Sequence, residues 1–286
     1  MNSLALTLVL TSALVHATWN LLAKKSAGGR LFVWSFTTLS SAFLVPSAIT
    51  LLVVTQHAID FRSGCFIAGT ALIHLVYFML LQRGYQTGDL SLVYPLARGL
   101  GPALATVGAI LLLDERPSAL ALTGLVLVLF GVILLTARRT SDPLRHPRIA
   151  ITYGVLTGVS IAVYTVWDKY TVSTLNVPPL VLEAFAGLGI SLMLTPYALR
   201  RWNDVKQTWR TARMEIVGVA FLAPLSYILV LTAMSFTPLS YVAPSREISI
   251  LFAAVLGARF LGEGHTARRL IAAAAMVAGV VSLALG

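Results

Sequence analysis

Charge is scarce in this 286-residue chain. Asp, Glu, Lys and Arg make up 11% of it against 57% hydrophobic residues, and the mean hydropathy is +0.85. A soluble globular chain is about a quarter charged. The deficit excludes a surface that faces mainly water and points to an integral membrane protein. Cysteine is almost absent. The single Cys65 excludes an internal disulfide framework and a Cys-rich metal site. No GxxxxGK[ST] loop occurs, which argues against direct ATP drive within the chain. No spacing of metal-ligating side chains stands out, so neither a metal nor an organic cofactor is expected. Acids are few, 11 against 21 Lys and Arg, for a formal charge of +10. That balance can mark nucleic-acid binding. Here the basic residues sit in short connections between apolar runs, where membrane topology puts them, so no nucleic-acid partner is expected.

What is present is a series of apolar runs near the roughly 20 residues that a span requires. Ten candidates lie at about 3–23, 31–54, 64–81, 89–113, 118–137, 149–169, 177–199, 214–235, 239–261 and 266–285. Backbone polar groups must be satisfied inside lipid, so each run reads as a helix. The runs are too long and too uniformly apolar for the strands of a membrane barrel. The first run lacks a basic leader segment and reads as a span, not a cleaved signal. The longest connections are 138–148 and 200–213, and no soluble domain fits between spans. Odd-numbered connections and their flanks hold fifteen Lys and Arg, among them Lys24, Lys25, Arg138, Arg139, Arg200 and Arg201. Even-numbered ones hold three, Arg62, Arg116 and, at a helix end, Lys169. The positive-inside rule puts the odd connections in the cytoplasm and both termini outside, in a plasma or inner membrane.

The two halves resemble each other. Leu111–Ser118 (LLLDERPS) parallels Arg259–Thr266 (RFLGEGHT), with Glu115 and Glu263 at an offset of 148 residues. The same offset relates Gly131 to Gly279 and Arg98 to Arg246. LSLVYP (Leu90–Pro95) parallels LSYVAP (Leu239–Pro244), and HATWNLLAKK (His16–Lys25) parallels IAVYTVWDKY (Ile161–Tyr170) more weakly. The expected domains are a first five-helix repeat over 1–137, a cytoplasmic linker over 138–148 and a second repeat over 149–286. Five spans is an odd number, so the second repeat enters the membrane the opposite way up. Inverted repeats of this kind recur in secondary transporters, with substrate bound near the midplane between them.

The ten short-looped spans, the HATWNLLAKK start, the two proline-containing fourth and ninth spans, LDERPS and LGEGHT together resemble the drug/metabolite transporter superfamily, in particular its EamA-type permeases. The resemblance runs over nearly the whole chain. It implies an all-α membrane fold of ten transmembrane helices, arranged as two inverted five-helix repeats around a central cavity, and export of small metabolites such as amino acids. The small multidrug relatives resemble single repeats with an essential glutamate in the first span. Here that span carries His16 and Asn20 and no acid, which argues against cation export driven from that position.

Arg98 and Arg246 fall well inside spans, and an intramembrane cation needs a cavity or a partner. Three readings apply: a pair of guanidinium forks for a carboxylate or phosphate, a gate, or static bonds to helix-end carbonyls, Glu183 or Glu247. Glu247 follows Arg246 directly, and adjacent helix positions do not face each other. It is therefore a candidate partner for Arg98 across the repeats, or a site for a proton or a substrate ammonium. Pro95 and Pro244 each remove a backbone donor, and with Gly99 they mark candidate hinges or broken helices; Tyr94 adjoins them. His16, Trp19 and Asn20 share one turn of the first span, His74, Tyr77 and Phe78 share one of the third, and Tyr164 and Trp167 lie three apart on the sixth. These are candidates to line a cavity for an apolar or aromatic group, although Trp and Tyr also belong at membrane interfaces. His16 and His74 are candidates to carry a proton. Glu183 reads as interfacial. Glu115 and Glu263 read as turn and cap residues of the helix that follows each.

The leading expectation is a secondary exporter of small metabolites, amino acids or related organic anions, working by alternating access, with proton coupling possible and no enzymatic activity. The expected partners are a small-molecule substrate and the lipid bilayer, for a monomer or homodimer. Alternatives are a drug or organic-cation exporter anchored on Glu247 and, in another class, a lipid-linked sugar flippase or a membrane assembly subunit.

Overall fold

The computed structural model describes residues 1–26, 29–87, 90–136, 147–252 and 267–286. The side chains of Tyr94 and Pro95, nearly all of the linker, residues 253–261 of the ninth run, and Arg259 and Glu263 lie outside the described residues. The described residues form helices and no strand. In chain order these are α1 (Ser3–Lys25), α2 (Arg30–Thr55), α3 (Phe61–Thr87), α4 (Leu90–Leu112), α5 (Ala119–Thr136), α6 (Pro147–Ser173), α7 (Pro179–Arg200), α8 (Trp202–Phe236), α9 (Leu239–Ser245) and α10 (Ala267–Leu285), with helical backbone also at 248–252.

Among the described residues, five helices are long and apolar enough to cross a membrane: those at Ser3–Ala23, Arg30–Thr55, Phe61–Leu81, Pro179–Arg200 and Trp202–Phe236. Shorter apolar helices occupy Leu96–Leu112, Ala119–Leu134 and Leu270–Leu285. α6 is not among the five. Its inner positions are polar, with Thr157, Ser160, Thr165, Asp168 and Lys169 all buried. It packs against α3, α4 and α8, so these groups meet protein and not lipid.

Two runs differ from their expected limits. The connection at 200–213 is helical from Trp202, because Trp202, Val205, Trp209 and Ala212 recur at helical spacing and Val205 and Ala212 are buried. This arm joins the spanning part of α8 through a kink at Ala212, where φ is −131° and ψ is 27°. The run at 239–261 is not one helix. α9 ends at Ser245, and Arg246 and Glu247 form a turn held by Glu247 N–H donating to Pro244 O (3.1 Å) and Ser249 N–H donating to Arg246 O (3.1 Å). Pro244 supplies no N–H to the preceding turn. α4, by contrast, is continuous through Pro95 and Gly99, so no broken helix occurs there.

Lipid tails give helices little hydrophobic reason to associate, and membrane helices pack through small residues and interhelical hydrogen bonds. α1 presents Ala5, Val9, Ala13 and Ala17 as a buried stripe and packs on α8. There Ser12 Oγ donates to Ser226 O at 2.7 Å, and Ser226 Oγ donates to Ser12 O at 3.2 Å. α2 packs on α7, with Thr38 and Ser191 hydroxyls 2.6 Å apart and Trp34 Nε1 donating to Thr195 Oγ1 at 3.0 Å. α5 packs on α10 at glycines. A Cβ on Gly131 would stand 2.8 Å from Ala272 O, and one on Gly279 would stand 2.8 Å from Gly124 O.

Contacts gather the even-numbered connections and both termini at one face. Arg62 Nη2 donates to Tyr170 OH at 2.6 Å, and Met1 N donates to Ala284 O at 2.8 Å. Lys169 is not a loop cation. It is buried near the end of α6, and its Nζ donates to Met234 O (2.7 Å) and Thr237 O (3.0 Å), capping α8. Glu115 does not cap the following helix; Ser118 does, its Oγ accepting from Ala121 N at 3.1 Å. The Glu115 carboxylate accepts instead from Leu239 N (2.6 Å) and Ser240 N (2.9 Å), holding the start of α9.

Candidate functional site

The interruption after α9 brings charge from three parts of the chain together. Arg98, about two turns into α4, faces Glu247, with Nη1 3.4 Å from Oε1. The side chains are 18% and 6% exposed, so the pair is largely withdrawn from solvent. Arg98 Nη2 lies 3.1 Å from His16 Nε2 of α1. A guanidinium has no lone pair to accept with. His16 Nε2 is therefore the acceptor, and the imidazole carries its proton on Nδ1. Glu247 Oε2 is buried and has no hydrogen-bond partner among the described residues.

Arg246 points elsewhere. Its guanidinium carbon stands 5.5 Å from the centroid of the Tyr227 ring on α8, a cation–π contact. Among the described residues it forms no ion pair. The turn thus sends consecutive residues to different partners, Glu247 toward α4 and Arg246 toward α8.

Tyr227 opens a second polar group. Its hydroxyl donates to Asp168 Oδ2 of α6. Thr70 Oγ1 of α3 lies 2.6 Å from Asp168 Oδ1, and His74 Nε2 of α3 lies 3.6 Å from Oδ2. Asp168 itself is fully buried. Aromatic rings close over this group: His74 on Tyr164 at 4.4 Å, His74 on Tyr227 at 5.5 Å and Tyr77 on Tyr164 at 5.5 Å between centroids. α6 supplies Asp168 and Tyr164 at i and i−4, one face of the helix.

The residues singled out from sequence divide accordingly. His16, Arg98, Arg246 and Glu247 fall in or beside the charged cluster, and His74, Tyr77 and Tyr164 in the aromatic one. Pro244 sits at the interruption. Trp167 turns away: its indole donates to Phe66 O at 2.9 Å and stacks on Phe66 at 4.2 Å. Gly69 accommodates that ring, since a Cβ there would lie 2.5 Å from Trp167 Cζ2. Asn20 bonds within its own helix, Nδ2 to His16 O at 2.8 Å. Trp19 stands edge-on to His16 at 4.9 Å. Gly99 meets nothing within 4 Å; the close helix approach is at Gly101, where a Cβ would lie 2.6 Å from Ile161 Cγ2. Asp168, Thr70 and Tyr227 are not among the sequence candidates. The available signal is an acid inside an apolar run, in VWDKY, which the neighbouring lysine disguises as a helix end. A recess of about 480 Å³ lies at another place, between α2 and the arm of α8, lined by Trp34, Thr38, Trp202, Lys206, Trp209 and Arg210 among others.

Comparison with known proteins fixes the class. Residues 148–285, the half that carries α6 to α10, match the model of the EamA-like transporter family. Through that half the chain belongs to this family, within the drug/metabolite transporter superfamily, and it is a multi-pass membrane protein. One solved crystal structure of a protein superposes with a TM-score of 0.79 over 100% of this chain and 98% of that one. At 14% identity the likeness is one of fold. A comparison with curated proteins finds no match.

Proposed function

We propose that the protein is a secondary active transporter that exports small metabolites bearing an anionic group, amino acids or related organic anions, across the plasma or inner membrane. The observation that carries this reading is the turn at Arg246 and Glu247. It holds a cation with no carboxylate partner among the described residues beside a carboxylate with one free buried oxygen. Buried charge of this kind is costly unless matched, and a ligand with a carboxylate matches Arg246. Arg98 and Glu247 come from different halves, so their pair is a latch between repeats. A substrate carboxylate that competes for Arg98 would open it, and the halves would rock about the midplane.

Two features support inverted repeats. Gly131 faces residues 272 and 276, and Gly279 faces 124 and 128, each pair related by the 148-residue offset. Helix packing follows the same exchange: α2 with α8 mirrors α7 with α3, and α1 with α8 mirrors α6 with α3. A two-fold axis in the membrane plane requires both. The odd connections are cytoplasmic in this reading, and the face that gathers the termini is external.

The test is uptake into inside-out vesicles of a panel of amino acids, organic anions and organic cations, with Arg98→Gln and Arg246→Gln at matched expression. Uptake of an anionic or zwitterionic solute that both substitutions abolish is expected. Unchanged transport in both variants removes the arginines from the site. The free oxygen of Glu247 favours a second reading, organic-cation export. There Arg246→Glu would leave transport intact, whereas it would end export of an anion.

A further inference from the structure

We infer that Asp168 of α6 is a proton-binding site that couples this transporter to the proton gradient. The inference rests on the transport reading above and adds the coupling ion and its ligand. Asp168 is fully buried, and the groups that face it from each packed element are few. α3 supplies Thr70 and His74, and α8 supplies Tyr227. α6 itself adds Tyr164, and the turn after α9 adds Arg246, held over the Tyr227 ring. Glu183 of α7 lies within electrostatic reach and is another acid. Lys169 is adjacent in sequence but bonded to the carbonyls of Met234 and Thr237, and on α4 Arg98 is engaged with His16 and Glu247.

A carboxylate in this position needs a cation or several donors. It has two hydroxyl neighbours. His74 at 3.6 Å is beyond hydrogen-bonding distance, and among the described residues no lysine or arginine pairs with it. Thr70 adds a proton count. Its hydroxyl lies 2.6 Å from Asp168 Oδ1 and 3.2 Å from Phe66 O. A hydroxyl holds one proton, so a protonated Asp168 can donate to Thr70 Oγ1 while Thr70 donates to Phe66 O, and the arrangement accommodates the neutral acid.

Loss of that proton leaves a buried anion, and Arg246, over the Tyr227 ring that bonds Asp168, is a cation without a carboxylate of its own among the described residues. Breaking the Arg246–Tyr227 contact brings the guanidinium to Asp168 and withdraws it from substrate. Protonation of Asp168 reverses this: one O–H bond forms, the carboxylate is neutralised, and Arg246 is freed for a substrate anion. Proton and anion therefore bind together and cross together, outward where the outward solute gradient exceeds the inward proton gradient, and the proton leaves to water on the far side when Arg246 returns to Asp168.

Two measurements test this. The first needs no substrate. Infrared spectra of the purified protein in lipid are expected to show a protonated-carboxyl C=O band at neutral pH that is missing from Asp168→Asn; an identical band in the variant overturns the assignment. The second uses proteoliposomes, with the membrane potential clamped at zero and radiolabelled amino acids and organic monoanions as probes. For one proton per monoanion, a gradient of one pH unit is expected to give about tenfold accumulation by the wild type. Asp168→Asn is expected to keep exchange of labelled for unlabelled solute and to lose accumulation. Tenfold accumulation by the variant, or proton flux opposite to the anion in the wild type, overturns the inference. So does loss of exchange by a variant that purifies as a single folded species, since Asp168 is then structural or binds substrate. Wild-type exchange without pH-driven accumulation defeats the coupling and leaves the transport reading standing. Absence of exchange for every probe defeats both.

Discussion

Removing one member of the Arg98–Glu247 pair gives the sharpest measure of how the halves are held. With the charges 3.4 Å apart, an effective dielectric of about 20 gives a Coulomb attraction of roughly 5 kcal/mol before the cost of desolvation. Truncating one partner of a buried pair costs about 3–5 kcal/mol, because the other charge is left without compensation. The long separation and the 18% exposure of Arg98 put Glu247→Ala near the lower end. A loss of about 3 kcal/mol lowers the melting temperature by roughly 6–12 °C in a chain approaching this size. Arg98→Ala is expected to cost a similar amount, since Glu247 then has neither oxygen partnered. The double variant removes both charges and should recover about 2 kcal/mol of the summed losses, a coupling of the size seen between residues in contact. The assay is thermal unfolding of the four proteins in one detergent, followed by near-ultraviolet circular dichroism. Losses that add to within about 0.5 kcal/mol would show that the two side chains act independently, and would refute the latch.

Other expectations follow from local geometry. Gly131→Ala places a Cβ 2.8 Å from Ala272 O and should cost about 1–3 kcal/mol by overpacking. Gly64→Ala, with nothing within 4 Å on α3, should be neutral or stabilising by up to about 1 kcal/mol; paired melts check the contrast. Lys169→Met leaves the carbonyls of Met234 and Thr237 without their donor. It should cost about 1–3 kcal/mol for each carbonyl that stays unmet, measured as earlier unfolding and faster proteolysis near residue 237. Asp60→Cys in a Cys65→Ser background should react with a membrane-impermeant maleimide in right-side-out but not inside-out vesicles; the reverse pattern would invert the proposed topology.

Most of the apolar runs were legible in the sequence because the requirement for about 20 apolar residues is local, one segment at a time; the interruption of the ninth at Arg246 was not. The family was legible in the same way, through short motifs in order, and the second half bears it out. The arm of α8 was less so. Charge at Arg200, Arg201, Lys206, Arg210 and Arg213 reads as a loop, and only the spacing of Trp202, Val205, Trp209 and Ala212 reveals the helix that carries it.

The contacts of the site are another matter. Arg98 and Glu247 are 149 residues apart and meet because α4 packs beside α9. Asp168 looked like the end of a span in VWDKY. It became a buried acid only when α3 and α8 closed over α6 with Thr70, His74 and Tyr227. Sequence by itself determined that this is a multi-pass membrane chain built of apolar helices, because transfer into lipid is decided residue by residue. Which charges compensate one another was decided by tertiary structure alone, since an ion's energy in a low-dielectric interior depends on what lies within a few ångströms of it.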